Sequence, residues 1–305
     1  MEAALPLSTL RRACHAASVP RCVQRRLTSL RKDLLLLTSH VRPALLWDYC
    51  DVCMAEDNAL GGATVTVEQV RILTAALRRD IQGTATLRLL CVGPSLFIVN
   101  HPTLHSKLTG ELQEPNLDSL VLIAADGALA SARFPSLAER ESLIAPLQLL
   151  GRRLVDALAC DEPAEVIQLD GIREAVPRET EGAIRGGAIR EVMLAEASIM
   201  VALHGWLLDY PIAYCFLQPS EALGLSTCLS RQSLCVFNVS IDDAAEQAGE
   251  KEQHGVCSFS CPEELLDEEL IRTWWHRLIE RFGLAAGLWQ RPRLARRTVV
   301  ENIVL

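Results

Sequence analysis

Residues 188–217 read AIREVMLAEASIMVALHGWLLDYPIAYCFL, the longest low-polarity run in the chain. The pattern predicts a long apolar helix running into a buried strand, with Asp209-Tyr210-Pro211 as the corner. On a helical wheel Ile189, Val192, Met193, Ile199, Met200 and Leu203 share one face, and Glu196 falls inside it. An unpaired carboxylate withdrawn from water costs on the order of several kcal/mol, so Glu196 is expected to have a partner or a raised pKa. That makes it a candidate site residue, against the plainer reading of a core carboxylate paired with an arginine. Glu191, Glu196 and His204 interrupt the run, which excludes a membrane-spanning segment.

Working outward, the segments before this stretch alternate between short apolar runs and helical periodicity. Residues 22–37 predict a helix, with Val23, Leu27, Leu30 and Leu34 on one side. Residues 43–49 predict a strand. Thr66-x-x-Gln69 has capping-box spacing and opens a helix carrying Val70, Leu73, Leu77 and Ile81. Two β-rich runs flank Gly93-Pro94-Ser95, a hairpin signal, and a short helix is expected over 102–109. Residues 120–124 and 165–169 predict strands, separated by a helix that Ser136-x-x-Glu139 caps and Pro146 kinks or splits.

After the central stretch come strands at 211–217, 233–241 and 255–260. Ser260-x-x-Glu263 then resembles a third capping box, opening a helix with Leu266, Leu270, Trp274 and Leu278 in its stripe and Gly283 as its stop. A closing strand is expected within 298–305. Strands interleaved with helices, followed by three successive strands, give the expected class: α/β, a mixed sheet flanked by helices, with antiparallel strands towards the C-terminus. The expected organisation is a basic helical extension over 1–39 and a single α/β domain over 40–305, with a subdivision near 175 as the alternative.

Charge is unevenly distributed along the chain. The 305 residues carry a net charge of −8, yet residues 1–32 hold seven cationic side chains against Glu2 alone. The remaining body is strongly acidic, so a nucleic-acid partner is not expected. Two readings of the basic N-terminus stay open, an organelle transit peptide or a basic helix that belongs to the fold. No apolar core precedes Arg11 as a secretory signal requires, so the eleven cysteines are expected as reduced thiols in a cytoplasmic protein, nuclear or mitochondrial residence remaining as alternatives.

Pro43-Ala-Leu-Leu-Trp-Asp-Tyr49, Gly205-Trp-Leu-Leu-Asp-Tyr-Pro-Ile-Ala-Tyr-Cys-Phe216 and Val256-Cys-Ser-Phe-Ser-Cys-Pro-Glu-Glu264 together resemble a family of uncharacterised proteins that includes the human chromosome 1 open-reading-frame 74 product. The family pattern has P-A-L-L-Y-D, W-L-L-G-Y-P-V-x-Y and S-F-S-V-P-E-S-L at these places. This chain departs from it with Asp209 where Gly is expected, with Trp47, and with an acidic loop over 242–254. The resemblance is to a domain of unknown function and implies no activity.

Three further carboxylates are candidates for chemistry. Asp48, Asp126 and Asp170 each follow an apolar run, and ligands in α/β sheets bind outside the carboxyl ends of parallel strands. If the three strands were parallel neighbours the carboxylates would converge as a hard divalent metal requires; otherwise Asp-Gly is simply good turn chemistry. Cys50-x-x-Cys53 lacks two further zinc ligands, and His101 and His105 lack an intervening Glu, so buried thiols and loop histidines are expected there. No phosphate-cradling glycine motif or G-x-S-x-G elbow occurs. The sequence names no cofactor, and a protein partner is compatible with it. It supports two functions: an α/β protein with a protein-interaction role, or an enzyme using strand-end carboxylates and a divalent metal on a small or phosphorylated substrate.

Overall fold

The computed structural model describes residues 5–53, 64–81, 83–114, 117–125, 132–159, 165–169, 198–216, 229, 232–241, 254–285 and 292–299. Its centre is a four-stranded sheet in the order β1 (Ala44–Leu46), β5 (Ser95–Asn100), β4 (Leu87–Val92), β7 (Val166–Leu169). The first three strands pair antiparallel, and β4 pairs parallel with β7, so the sheet is mixed. The β4–β5 hairpin turns at Gly93, whose φ of +53° lies where a side chain is disfavoured.

Period-two alternation sends each strand's side chains to two different cores. Leu89, Cys91, Leu96 and Ile98 face α1 (Leu7–Ala16), α3 (Leu27–Thr38) and α4 (Val67–Asp80). Leu90, Val92, Phe97 and Val99 face α5 (His101–Glu111), α6 (Leu137–Leu158) and the helix over 198–207, which we number α7. Helices thus cover both faces of the sheet. The expected helix over 22–37 is broken: α2 (Arg21–Arg25) ends at Arg26, and α3 begins after it.

A third core lies beneath the antiparallel sheet β10 (His254–Pro262), β9 (Leu234–Ile241), β11 (Arg293–Val299), with α8 (Glu268–Leu284) packed on it. A parallel pair, β6 (Val121–Ala124) with β8 (Ile212–Cys215), contributes Ile123 and Ile212 to the same core. A shorter parallel pair joins β2 (Val52–Cys53) to β3 (Val65–Thr66). The chain is therefore α/β, with antiparallel strands towards its C-terminus. Among the described residues no helix is long and apolar enough to cross a membrane.

Local chemistry sets most helix starts. Thr66 and Gln69 form the expected capping box, as do Ser136 and Glu139, each pair satisfying two otherwise free backbone donors. α5 starts at buried Asn100, whose side chain accepts from Thr103 N at 3.2 Å and donates to the Leu37 carbonyl at 2.8 Å. That one amide ties the end of α3 to the end of β5. α6 runs unbroken through Pro146 over 22 residues.

The third expected capping box is not one. Ser260 lies inside β10 opposite Val236, and a 3-10 turn over 263–265 follows. The cap of α8 is Asp267, which accepts from Glu269 N at 2.9 Å and Leu270 N at 3.1 Å. With the helix starting later, its buried stripe is Ile271, Trp274, Leu278 and Phe282, and Gly283 sits within it rather than ending it. His101 and His105 belong to α5 rather than to a loop, their rings stacked 6.4 Å apart. The closing strand comes earlier than expected, at 293–299.

In the central stretch, residues 188–197 of the expected helix lie outside the described residues; α7, over 198–207, leads through the corner into β8. Trp206 is almost fully buried and lies against Gly151, where an added Cβ would come within 2.5 Å of the indole. Gly205 likewise admits Ala213 of β8, which a Cβ would meet at 2.7 Å. Asp209 has φ +63°, the left-handed conformation glycine adopts without strain, which accounts for glycine being the expected residue there.

Candidate anion-binding cleft

The start of α3 opens onto a cleft of about 640 Å³. One wall is the solvent-side surface of α2 and α3, from which Arg25, Thr28, Ser29 and Lys32 line the space. The opposite face of α3 carries Leu27, Leu30 and Leu34 into the core, which fixes the helix's rotation. The floor comes from β1, through Leu45 and Leu46, and from Leu208 and Tyr210 of the corner. Gly255 and Val256 of β10 close the far side.

The cleft is cationic in an acidic chain. Arg25, Arg26, Lys32 and Arg42 line it against Asp33 and Asp48, an excess of two positive charges. Arg42 is held by a hydrogen bond to the Val256 carbonyl at 2.9 Å, which joins residues 214 apart in sequence. Arg26 donates to the Asp48 carbonyl at 3.1 Å and lies over the Tyr49 ring, 4.7 Å from its centroid. The Tyr49 hydroxyl donates to the Asp33 carboxylate, and burial followed by that neighbouring charge pushes the phenol well above its ordinary value. Burial also raises the Tyr210 phenol, against the opposing pull of Arg42.

Lys32 is the exception among these charges. Only 3% of it is exposed, yet its ammonium makes no hydrogen bond or ion pair among the described residues. The stem of this lysine is buried while its ammonium keeps an opening to the cleft, and a lysine this deep normally has an acid beside it. The first turn of α3 adds to the positive potential: it has no side-chain cap and no acidic residue. The free N–H groups of such a helix start favour an anion.

Of the four candidate carboxylates, Asp48 is found at the exposed rim of this cleft. Asp126, Asp170 and Glu196 lie outside the described residues. The strands leading to Asp48, Asp126 and Asp170 are not neighbours. β1 and β7 run the same way but occupy opposite edges of one sheet, three interstrand steps or roughly 14 Å apart, and β6 pairs with β8 instead.

Lys32, Arg42 and Tyr210 were not singled out by sequence reasoning. The one available signal was that Lys32 is one of only three lysines in the chain. Among the described residues no group of three or more His, Cys, Asp or Glu side chains is arranged to hold a metal ion. None of the eight cysteines described is in a disulfide; five are buried, but Cys50, expected as a buried thiol, is half-buried.

Fold and cleft together define a mixed α/β protein with a solvent-connected basic pocket at a helix start. A domain of unknown function (DUF4504) matches residues 12–305, and the chain belongs to that family. No curated protein and no solved structure matches it.

Proposed function

We propose that the protein binds a small anionic organic molecule in the cleft at the start of α3. The observation that carries this reading is Lys32, a lysine 3% exposed that faces the cleft without an acid of its own among the described residues. An anion seated there would meet Lys32, the free helix N–H groups and the guanidinium of Arg25. The cleft's size falls within the range of small-molecule sites, on the order of 300–1,000 Å³.

Binding has better support than catalysis at this place. Neither histidine nor cysteine is among the described residues lining the cleft, so its hydroxyls at Thr28 and Ser29 have no imidazole base beside them. A protein-interaction role has less behind it: the exposed large apolar residues are spread over α1, α4, α6, α7, α8 and, at Phe134, the segment before α6.

The test is thermal melting in inorganic phosphate, pyrophosphate and citrate, each against chloride at equal ionic strength. A ligand at a hundred times its Kd stabilises a protein by about 2.7 kcal/mol, so a multivalent anion is expected to raise the melting temperature by several degrees. Lys32→Met should abolish that rise, and Arg25→Gln, at an exposed position, should halve it or more. Equal anion responses in wild type and Lys32→Met would overturn the proposal.

A further inference from the structure

The charge balance and the shape of the cleft narrow the ligand further, on the footing of the anion site just proposed. We infer that its ligand is a phosphate monoester carried on a hydroxylated body, of the sugar-phosphate class.

Three observations lead there. The lining has an excess of two positive charges, which a phosphate monoester in its dianionic form neutralises. A single carboxylate would leave one charge over, and a triphosphate would bring in more than the cleft offsets.

Asp48 supplies the second observation. Its carboxylate stands exposed at the cleft's rim, with no hydrogen bond or ion pair of its own among the described residues. A carboxylate on the wall of an anion site repels a bare phosphate; what it can recognise is a hydrogen-bond donor. Hydroxyl groups on the body of the ligand supply such donors. The Asp33 carboxylate on the α3 wall already accepts from Tyr49, so it is fixed in orientation.

The third observation is space. At about 640 Å³ the cleft is far larger than a phosphate group alone requires. The part away from α3 is floored by Leu46, Leu208 and the Tyr210 ring, and the carbon face of a sugar ring packs well on such a surface.

These features give the ligand a direction. The phosphate sits at the start of α3 against Lys32 and Arg25, with the sugar body over the corner residues and its hydroxyls towards Asp48. Arg42, held by the Val256 carbonyl, closes the β10 side and gives the phosphate a second guanidinium. No bond is made or broken in this assignment, which concerns recognition alone.

Isothermal titration of the full-length protein with ribose 5-phosphate, ribose and inorganic phosphate tests it, with adenosine 5′-monophosphate as a fourth arm. Ribose 5-phosphate is expected to bind about tenfold more tightly than inorganic phosphate, because hydrogen bonds to a charged carboxylate carry that order of preference. Ribose alone should show no binding. Asp48→Asn should remove most of the sugar-phosphate advantage while leaving inorganic phosphate unchanged or slightly tighter, and Lys32→Met should weaken both. Tighter binding of adenosine 5′-monophosphate than of ribose 5-phosphate would place a nucleoside rather than a free sugar in the cleft, within the same class.

If ribose 5-phosphate binds no better than inorganic phosphate, or Asp48→Asn weakens both alike, this inference falls while the anion site stands. If no phosphate compound binds the wild type, this inference falls, and the anion site falls with it unless citrate still stabilises wild type and not Lys32→Met.

Discussion

Two lysines among the described residues have largely buried side chains, and their surroundings are opposite. The Lys107 side chain, 10% exposed on α5, has Glu111 at 2.5 Å and Asp209 at 3.6 Å, and lies 5.7 Å from the centre of the Trp206 ring. The same acids serve further donors: Glu111 accepts the Trp206 indole at 2.6 Å, and the Asp209 carboxylate meets Arg281 of α8. The Asp209 carbonyl takes the Trp274 indole at 2.9 Å. This network ties α5, α7, the corner and α8 together with its charges matched. Lys32 has a comparable depth and no match among the described residues. A closed network holds a fold together; an open cation beside a cleft leaves its partner to come from outside.

The difference predicts opposite responses to the same kind of substitution. Arg281→Met leaves the Asp209 carboxylate with Lys107 and the weaker influence of Arg277. Breaking a buried ion pair commonly costs about 3–5 kcal/mol. Here the side chains are 24% and 18% exposed, and Arg281 Nε is itself buried without a partner. We therefore expect a smaller loss, about 2–3 kcal/mol, visible as a lower urea midpoint with unchanged slope. A loss under about 0.5 kcal/mol would mean that the network is no more than a surface contact.

Lys32→Met should behave in the other direction. It removes a charge that no acid among the described residues pairs with and keeps the buried stem, so stability without ligand should stay within about 1 kcal/mol of wild type or rise above it. A destabilisation as large as that of Arg281→Met would erase the distinction between the two lysines and make Lys32 a structural residue.

How far each region is legible from sequence follows from where its interactions come from. Capping boxes at Thr66 and Ser136, the Gly93 hairpin and the apolar run from 198 into β8 are local, and the chain forms them as their spacing suggests. Ser260 shows the limit of local reasoning. It has capping-box spacing to Glu263, but its backbone is held in the β9–β10 ladder, and Asp267 starts the helix instead. The charged regions are less legible still. Lys107, Glu111, Asp209 and Arg281 span 174 positions, and the cleft joins segments near 25–33, 42–48, 208–210 and 255–256. Nothing within ten residues of Lys32 marks it as unpaired; only the packing of α3 against the sheet withdraws it from water.

The smallest expected effect is the dependence of stability on pH, and it separates the two regions without disturbing either core. Burial pushes the Asp209 carboxyl upward, but the charges of Arg281 and Lys107 outweigh it and hold the group below its ordinary 3.8. On the surface, Arg133 and then the Ser136 backbone bring Glu139 from 4.5 down to about 2. A group whose folded pKa lies below its unfolded value contributes stability above the unfolded value and loses it as pH falls through the folded one. The wild-type curve should therefore be flat on these accounts down to about pH 4.5, then decline towards pH 2. Asp209→Asn starts lower at neutral pH, because Arg281 loses its acid and Lys107 keeps only Glu111. Its decline should be shallower, since one of the titrating carboxylates is gone, and the gap to wild type should narrow in acid. Lys32→Met removes no carboxylate's partner, so its curve should run parallel to wild type throughout. Urea midpoints measured from pH 7 to pH 2 on the three proteins decide the matter. A Lys32→Met curve that converges on wild type in acid, as Asp209→Asn should, would show that Lys32 does hold an acid in the folded state.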